Sequence, residues 1–251
     1  MLDLLKLKCK MGRQYVPDIK KAEIGDKFRG FPVISGKCRQ GCSLCAACCP
    51  SQAISLAPLA LDLGRCVFCG ECAKACPDNS IVFSNKHKLA ATDRNALLVK
   101  PGLSYEDYTA RAVRARENIR KMFGRSLKLR QVSAGGCGAC EAELAACSNV
   151  NFDMGRFGIE VAASPRHSDG LLITGPVSEN MAYALLDTYR AAPAPKIVIA
   201  AGACAISGGI FREEGALNRD FFSLVKTDLF IPGCPVHPLT VINGILSFLG
   251  A

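Results

Sequence analysis

The chain has 251 residues, an ordinary apolar fraction of 49%, no Trp, a formal net charge of +9 and 15 cysteines. That length allows one or two domains with a real core. Fifteen cysteines are far above average use, but a disulfide framework belongs mostly to small secreted domains.

Met1-Leu-Asp-Leu-Leu-Lys-Leu-Lys interrupts its apolar run with charge and lacks the continuous hydrophobic region of a signal peptide. No stretch of about 18 uncharged apolar residues is present, so no direct membrane span is expected. The expected setting is a reducing cytoplasm, where clustered thiols hold metal. The basic balance does not point to nucleic acid. Twelve thiolate ligands around three iron–sulfide cores would bring the loaded protein to about +3, and no nucleic-acid motif is present.

Residues 1–30 form a basic N-terminal arm of mixed pattern, in which Tyr15-Val-Pro-Asp18 and Gly25-Asp-Lys-Phe-Arg-Gly30 read as extended chain and turns. A poorly ordered tail and an arm that docks on a partner both fit.

Residues 31–90 hold two copies of one pattern. The second is Cys66-Val-Phe-Cys69-Gly-Glu-Cys72-Ala-Lys-Ala-Cys76-Pro77, a complete Cys-x2-Cys-x2-Cys-x3-Cys-Pro run. This spacing wraps three thiolates around one [4Fe–4S] cube and sends the fourth to the other cube. Short strands are predicted after each run, at Ser80–Ser84 and Ala53–Leu56. The first copy, Cys38-Arg-Gln-Gly-Cys42-Ser-Leu-Cys45-Ala-Ala-Cys48-Cys49-Pro50, is out of phase by one residue. Arg39 stands where a ligand is due, so Cys38 serves from a longer loop; the alternative frame uses Cys48 and leaves Cys38 spare. One cluster is then assigned Cys38, Cys42, Cys45 and Cys76, the other Cys66, Cys69, Cys72 and Cys49. Zinc in the same thiols is the competing reading. The expected fold is a bacterial-ferredoxin-like α+β domain.

Residues 91–125 read as a helical linker. Ser104-Tyr-Glu-Asp107 is a capping start, and a helix is predicted over Tyr108–Phe123, decorated by Arg111, Arg114, Arg116, Arg120 and Lys121 and ended by Gly124. A solvated face and a docking face for an acidic partner both suit it.

Residues 126–251 alternate strand and helix. Strands are predicted at Leu127–Val132, Phe157–Ala162, Leu171–Thr174, Lys196–Ala200 and Asp228–Ile231, and helices at Glu141–Cys147, Glu179–Arg190 and Pro238–Phe248. Such alternation predicts an open parallel, flavodoxin-like sheet with its site beyond the carboxyl ends of the strands. Cys137 and Cys140, then Cys204, then Cys234 each follow a predicted strand, so four thiols can converge on one edge and hold a third [4Fe–4S] cluster. Glycines 135, 136, 202, 208, 209 and 233 let backbone approach sulfur. Closed zinc is again the competitor. Cys9, Cys48 and Cys147 read as spare thiols, and His87 and His237 as surface or packing residues.

The loop Gly135-Gly-Cys137-Gly-Ala-Cys140-Glu141, with Ser164-Pro-Arg-His-Ser-Asp169, Ile173-Thr-Gly175, Gly202-Ala-Cys204, Ser207-Gly-Gly-Ile-Phe211 and Pro232-Gly-Cys234-Pro235, resembles the small subunit of membrane-bound, energy-converting [NiFe] hydrogenases of the formate hydrogenlyase type. That family is related to the complex I subunit holding the terminal cluster. The upstream half, through Phe28-Arg-Gly-Phe-Pro32, both cysteine runs, Leu63-Gly-Arg-Cys66 and Lys88-Leu-Ala90, resembles the polyferredoxin subunit of the same complexes. The resemblance implies a fusion of two electron-transfer subunits carrying three [4Fe–4S] clusters and no catalytic centre of its own. Its implied partners are a nickel–iron large subunit, further subunits including integral membrane ones, and an electron donor or acceptor such as ferredoxin or formate dehydrogenase. The implied location is the cytoplasmic face of the cell membrane. The spaced pair Cys137/Cys140 favours hydrogenase over the quinone-reducing relatives, which commonly use adjacent cysteines. Ser133 and Ala134 depart from the family's usual Asp and Cys, and Gly138 from its Asn. By the same resemblance, Glu141 or Glu143 lies on a proton path, against a plain role as helix-start acids. Arg166, His167 and Asp169 are expected near the third cluster.

Overall fold

The computed structural model describes residues 2–12, 14–39, 41–114 and 126–250. The chain opens on helix α1 (Leu2–Met11), whose described side chains are all exposed. The rest of the arm is not a loose tail. Val16 N–H donates to the Asn151 carbonyl at 2.8 Å, Arg156 donates to the Val16 carbonyl at 2.6 Å, and Asn243 donates to the Ile19 carbonyl at 2.9 Å. Ile19 is 2% exposed within the core of the second half. Val16, Ala22 and Ile24 pack against the same core, but spacings of three, three and two residues match no single helix or strand period, which is why the sequence hides this docking.

The ferredoxin-like half is built from two short antiparallel sheets and two one-turn helices. Strand β1 (Pro32–Ile34) pairs with β4 (Ile81–Phe83), with Val33 opposite Val82. Strands β2 (Ile54–Leu56) and β3 (Leu59–Asp62) form a hairpin, and β5 (Leu98–Val99) adds to β3. Helices α2 (Leu44–Ala47) and α3 (Glu71–Ala75) each grow out of a cysteine run. They stand in equivalent places in the two copies of the motif.

The stretch after residue 90 is tied to both halves. Its β5 belongs to the three-stranded sheet, and Ala91 exchanges backbone hydrogen bonds with Phe230 at 2.9 and 2.8 Å. Helix α4 (Tyr105–Ala112) starts on the expected cap: Ser104 Oγ accepts from Asp107 N–H at 3.0 Å. It ends sooner than the composition predicts. Thr92 N–H donates to the Ala112 carbonyl at 2.8 Å, Val113 turns extended, and Arg114 lies outside the helix. A tertiary hydrogen bond thus overrides helix propensity at that end. The expected continuation through Arg116, Arg120 and Lys121 to Phe123 and Gly124 lies outside the described residues.

The second half is a five-stranded parallel sheet of β6 (Leu127–Ser133), β7 (Ile159–Val161), β8 (Gly170–Thr174), β9 (Ile197–Ala201) and β10 (Leu229–Ile231). The spatial order β7-β6-β8-β9-β10 is the flavodoxin-like 2-1-3-4-5 order, with its switch point between β6 and β8. Every residue of β8 and β9 is buried, because helices cover both faces of a parallel sheet. Those helices are α5 (Ala139–Cys147), α6 (Glu179–Ala191), α7 (Ala203–Ser207), α8 (Asp220–Leu224) and α9 (Pro238–Leu249). All five strands and three long helices fall where expected within one to three residues. The one-turn α7 and α8 were not anticipated, being too short to show a period.

The two halves share a core. Ala200, Ala205 and Ile206 pack with Phe31, Leu61, Leu63 and Leu97 of the ferredoxin-like half. Gly244 of α9 leaves no room for a side chain against Ala90, since an added Cβ would lie 2.7 Å from the Ala90 Cβ. No described helix is long and apolar enough to cross a membrane.

Candidate metal centres

Three groups of thiols are assembled by this fold. In the first, Cys66, Cys69 and Cys72 run from a loop into α3, and Cys49 arrives from the end of the other motif. All four line one largely apolar cavity with Ala53, Ile54, Leu61 and Phe83. Backbone N–H groups already point at sulfur: Ala53 to Cys49 at 3.2 Å and Phe68 to Cys66 at 3.3 Å. Burial pushes the Cys66 and Cys72 thiols up to about 12, with neighbouring thiols adding to the effect. Bare thiolates are therefore unstable in this cavity, and the donor set calls for a compensating cationic core.

The second group joins Cys38, Cys45 and Cys76. Burial raises the Cys45 thiol, and Cys38 and Cys76 lie near enough to add to the shift. Burial also acts on Cys76, yet the N–H groups of Ser80, Asp78 and Ile81 and the Ser80 hydroxyl bring it below its ordinary value. Cys42 sits on the turn between Cys38 and Cys45, its N–H donating to the Arg39 carbonyl at 3.1 Å. Cys48 is turned to other work: its thiol donates to the Cys45 carbonyl at 3.4 Å.

The third group stands at the carboxyl edge of the parallel sheet. Cys137 and Cys140 follow β6 at the switch point, Cys204 lies in the first turn of α7 after β9, and Cys234 follows β10. Burial pushes Cys140 up to about 12, with added repulsion from Glu141, Cys204 and Cys234. It pushes Cys204 up to about 11, with Cys234 and Cys137 adding and Arg219 opposing. Burial raises Cys234 as well, with contributions from Cys137 and from Cys69 of the first group. Glycine is required beside two of these sulfurs. A Cβ on Gly202 (φ +95°) would lie 2.8 Å from Cys140 Sγ, and one on Gly209 (φ +58°) would lie 2.9 Å from Cys204 Sγ.

Among the described residues, no three His, Cys, Asp or Glu side chains close up as they would around a single ion. The set of Cys49, Cys66, Cys69 and Cys72, with N–H groups pointing at its sulfurs, fits a [4Fe–4S] core, and Cys137, Cys140, Cys204 and Cys234 at the sheet edge could hold another; such a core would supply one-electron uptake and release.

The two acids after Cys140 part company. The Glu141 carboxylate accepts from Ser133 Oγ and Thr174 Oγ1, both at 2.6 Å. Burial works to raise it, but these two hydroxyls hold it below the usual carboxylate range. Glu143 is raised by burial and lines a cavity between the halves with Lys27, Arg29, Phe68, Cys234 and His237.

Arg166, His167 and Asp169 are not at the thiol edge. They precede β8 at its amino end, where Asp169 Oδ2 accepts from Lys128 N–H at 2.7 Å. The five residues of β8 separate them from the opposite edge, about 16 Å of strand. The expectation that they neighbour the cluster is corrected by the sheet's direction.

His87 is buried at 5% exposure, with its Nε2 3.4 Å from Asn243 Nδ2. His237 caps α9, its Nδ1 accepting from Leu239 N–H at 3.1 Å. Cys147 packs fully buried on α5, and Cys9 is exposed on α1.

Sequence reading missed Ser133 and Thr174 as holders of Glu141, and Arg219 beside Cys204. Thr174 lies in the Ile173-Thr-Gly175 stretch, but neither it, Ser133 nor Arg219 shows its partner in the sequence, because each reaches the site across strands or loops.

Residues 137–248 match the family described as NADH ubiquinone oxidoreductase, 20 Kd subunit, and residues 59–82 match the 4Fe-4S binding domain. A probable membrane-bound hydrogenase subunit mbhJ of Pyrococcus furiosus is 38% identical over 51% of this chain and 77% of its own length. Formate hydrogenlyase subunit 7 of Escherichia coli is 41% identical over 53% of this chain and 52% of its own. Among solved structures, a chain of an archaeal membrane-bound sulfane sulfur reductase is 30% identical, with a TM-score of 0.47 over 54% of this chain and 75% of that one. With its thiol-bearing loops, its parallel sheet and these matches, the chain belongs to the family of NADH:ubiquinone oxidoreductase 20 kDa subunits, preceded by a 4Fe-4S binding domain.

Proposed function

We propose that this protein is a three-cluster electron relay in a membrane-associated hydrogenase complex. The observation that carries the reading is the order of the thiol groups across the seam. Cys69, from the set with Cys49, Cys66 and Cys72, is near enough to contribute to the shift of Cys234. The cavity between the halves is lined by Phe68 on one side and Cys234 on the other. Cys38, Cys42, Cys45 and Cys76 would hold the entry cluster, Cys49, Cys66, Cys69 and Cys72 the middle one, and Cys137, Cys140, Cys204 and Cys234 the exit cluster toward a nickel–iron large subunit. Each would supply one-electron uptake and release, in either direction. In this scheme the chain's residues bind and insulate the clusters, and proton chemistry belongs to the partner. Glu143, in the seam cavity, is the better placed of the two acids for a proton path, because Glu141 is tied to Ser133 and Thr174. The complex would sit on the cytoplasmic face of the membrane, with integral subunits beside this one and ferredoxin or formate dehydrogenase as donor.

The spaced pair Cys137-Gly-Ala-Cys140 supports hydrogen chemistry. The family's name supports the second reading, a terminal-cluster subunit feeding quinone. The sequence of the neighbouring large subunit discriminates: paired Cys-x2-Cys motifs for nickel support the first, and their absence the second. Metal analysis tests both against zinc. About twelve iron and twelve labile sulfide per chain are expected; two or three zinc without sulfide would overturn the relay.

A further inference from the structure

Arg219 lies beside the third thiol group without belonging to any motif. Its Nη1 donates to the carbonyls of Pro176 at 3.0 Å and Cys204 at 3.1 Å, and its Nη2 to that of Ala205 at 2.8 Å. The guanidinium carbon stands 4.8 Å from the centre of the Phe222 ring. The side chain is half-buried, and among the described residues no carboxylate lies within ion-pair distance of it. The neighbouring cation, Arg94, differs: Asp62 takes its charge through two hydrogen bonds of 2.8 and 2.6 Å.

Carbonyl acceptors satisfy the donors of Arg219 but leave its charge uncompensated. A cation partly withdrawn from water needs an opposite charge nearby. The group beside it that can become negative is the thiol of Cys204, a member of the Cys137, Cys140, Cys204 and Cys234 set, whose own carbonyl is one of its acceptors.

We propose that Arg219 is the fixed counter-charge of this set and raises the reduction potential of the cluster assigned to it. The inference rests on the relay reading. One-electron reduction makes and breaks no bond; it adds one negative charge to the cluster and its thiolates. A fixed cation stabilises the reduced form more than the oxidised one, because the reduced form carries the larger negative charge. Arg219 would thus hold the exit cluster at a potential the upstream clusters can reach. It is a positioning residue, acting through charge on a group it does not ligate.

The test uses the full chain with clusters loaded. The third cluster's signal in electron paramagnetic resonance is the one lost in Cys137→Ser, and its potential is followed by titration with dithionite. In Arg219→Gln the reduction equilibrium constant of that cluster should fall about tenfold, near 59 mV for one electron. The other two clusters should keep theirs, and Arg219→Lys should stay close to the wild type. Equal potentials in wild type and Arg219→Gln overturn the inference, as does an equal fall in the Gln and Lys variants. Loss of the cluster from both variants also overturns it, since Arg219 would then only hold the loop. A wild-type chain without the Cys137-dependent signal fails the relay reading instead.

Discussion

Gly202 and Cys140 meet at the carboxyl edge of the sheet, with room for a hydrogen and nothing larger: a Cβ on Gly202 would stand 2.8 Å from the Cys140 sulfur. The same glycine has φ +95° and ψ 154°, a region that essentially only glycine adopts and where an L side chain adds about 1–3 kcal/mol of strain. Gly202→Ala should therefore lose the third cluster while the other two survive. Iron and labile sulfide per chain should fall by about a third, with the ferredoxin-type signals retained. Full occupancy in this variant would show that the close approach of Gly202 to Cys140 is not needed to hold the cluster.

Cys38 and Cys48 compete for one ligand position in the sequence, and their surroundings separate them. Cys45 feels Cys38 and Cys76, while the Cys48 thiol is spent on the Cys45 carbonyl. Cys48→Ser should keep its iron, and Cys38→Ser should lose about four iron per chain, a full cluster. The reverse pattern would move the ligand to Cys48.

Asp62 anchors the end of β3. It accepts from Gly64 N–H at 2.8 Å and from both ends of the Arg94 guanidinium. Its side chain is 12% exposed and that of Arg94 33%, so solvent screens part of the pair. Asp62→Ala should cost about 2 kcal/mol in denaturant unfolding, less than a fully buried pair would lose. Arg94→Met, which removes the charge but keeps the bulk, should cost less than Asp62→Ala. Leaving Arg94 without its acceptor is the larger penalty.

His87 gives a pH signature. Burial lowers its pKa from 6.5 to about 4, with smaller contributions from His237, Lys88 and Lys86. Between these values the unfolded chain binds a proton that the folded chain refuses, so stability falls as pH drops from 6.5 toward 4. By pH 5 the loss should reach about 1–2 kcal/mol. His87→Gln should remove that slope, seen as a smaller drop in unfolding free energy from pH 6.5 to pH 5 than in the wild type. Parallel curves would show that His87 is protonated in the folded state.

What the sequence determined by itself is local. Cysteine spacing is a covalent ruler, so Cys66 to Cys76 announces a cluster loop before any fold is known. The alternation of apolar runs with helical stretches in residues 126–251 likewise announces a parallel sheet, and sheets of that kind put loops at one edge. That alternation also places Cys137 and Cys140, Cys204 and Cys234 after strands of one sheet, at its carboxyl edge.

Only the tertiary structure decided matters of direction and reach. Arg166, His167 and Asp169 look like neighbours of the cluster in sequence, but the strand they precede runs toward the thiols, and they stand at its far end. The arm around Ile19 is held by three long-range hydrogen bonds and a buried side chain, and the end of α4 at Ala112 by a bond from Thr92, none of which leaves a periodic trace. Arg219 is placed by three carbonyls, one from the loop after β8 and two from α7. A charge acts through space rather than along the chain, so its importance could not be read until the chain was folded around it.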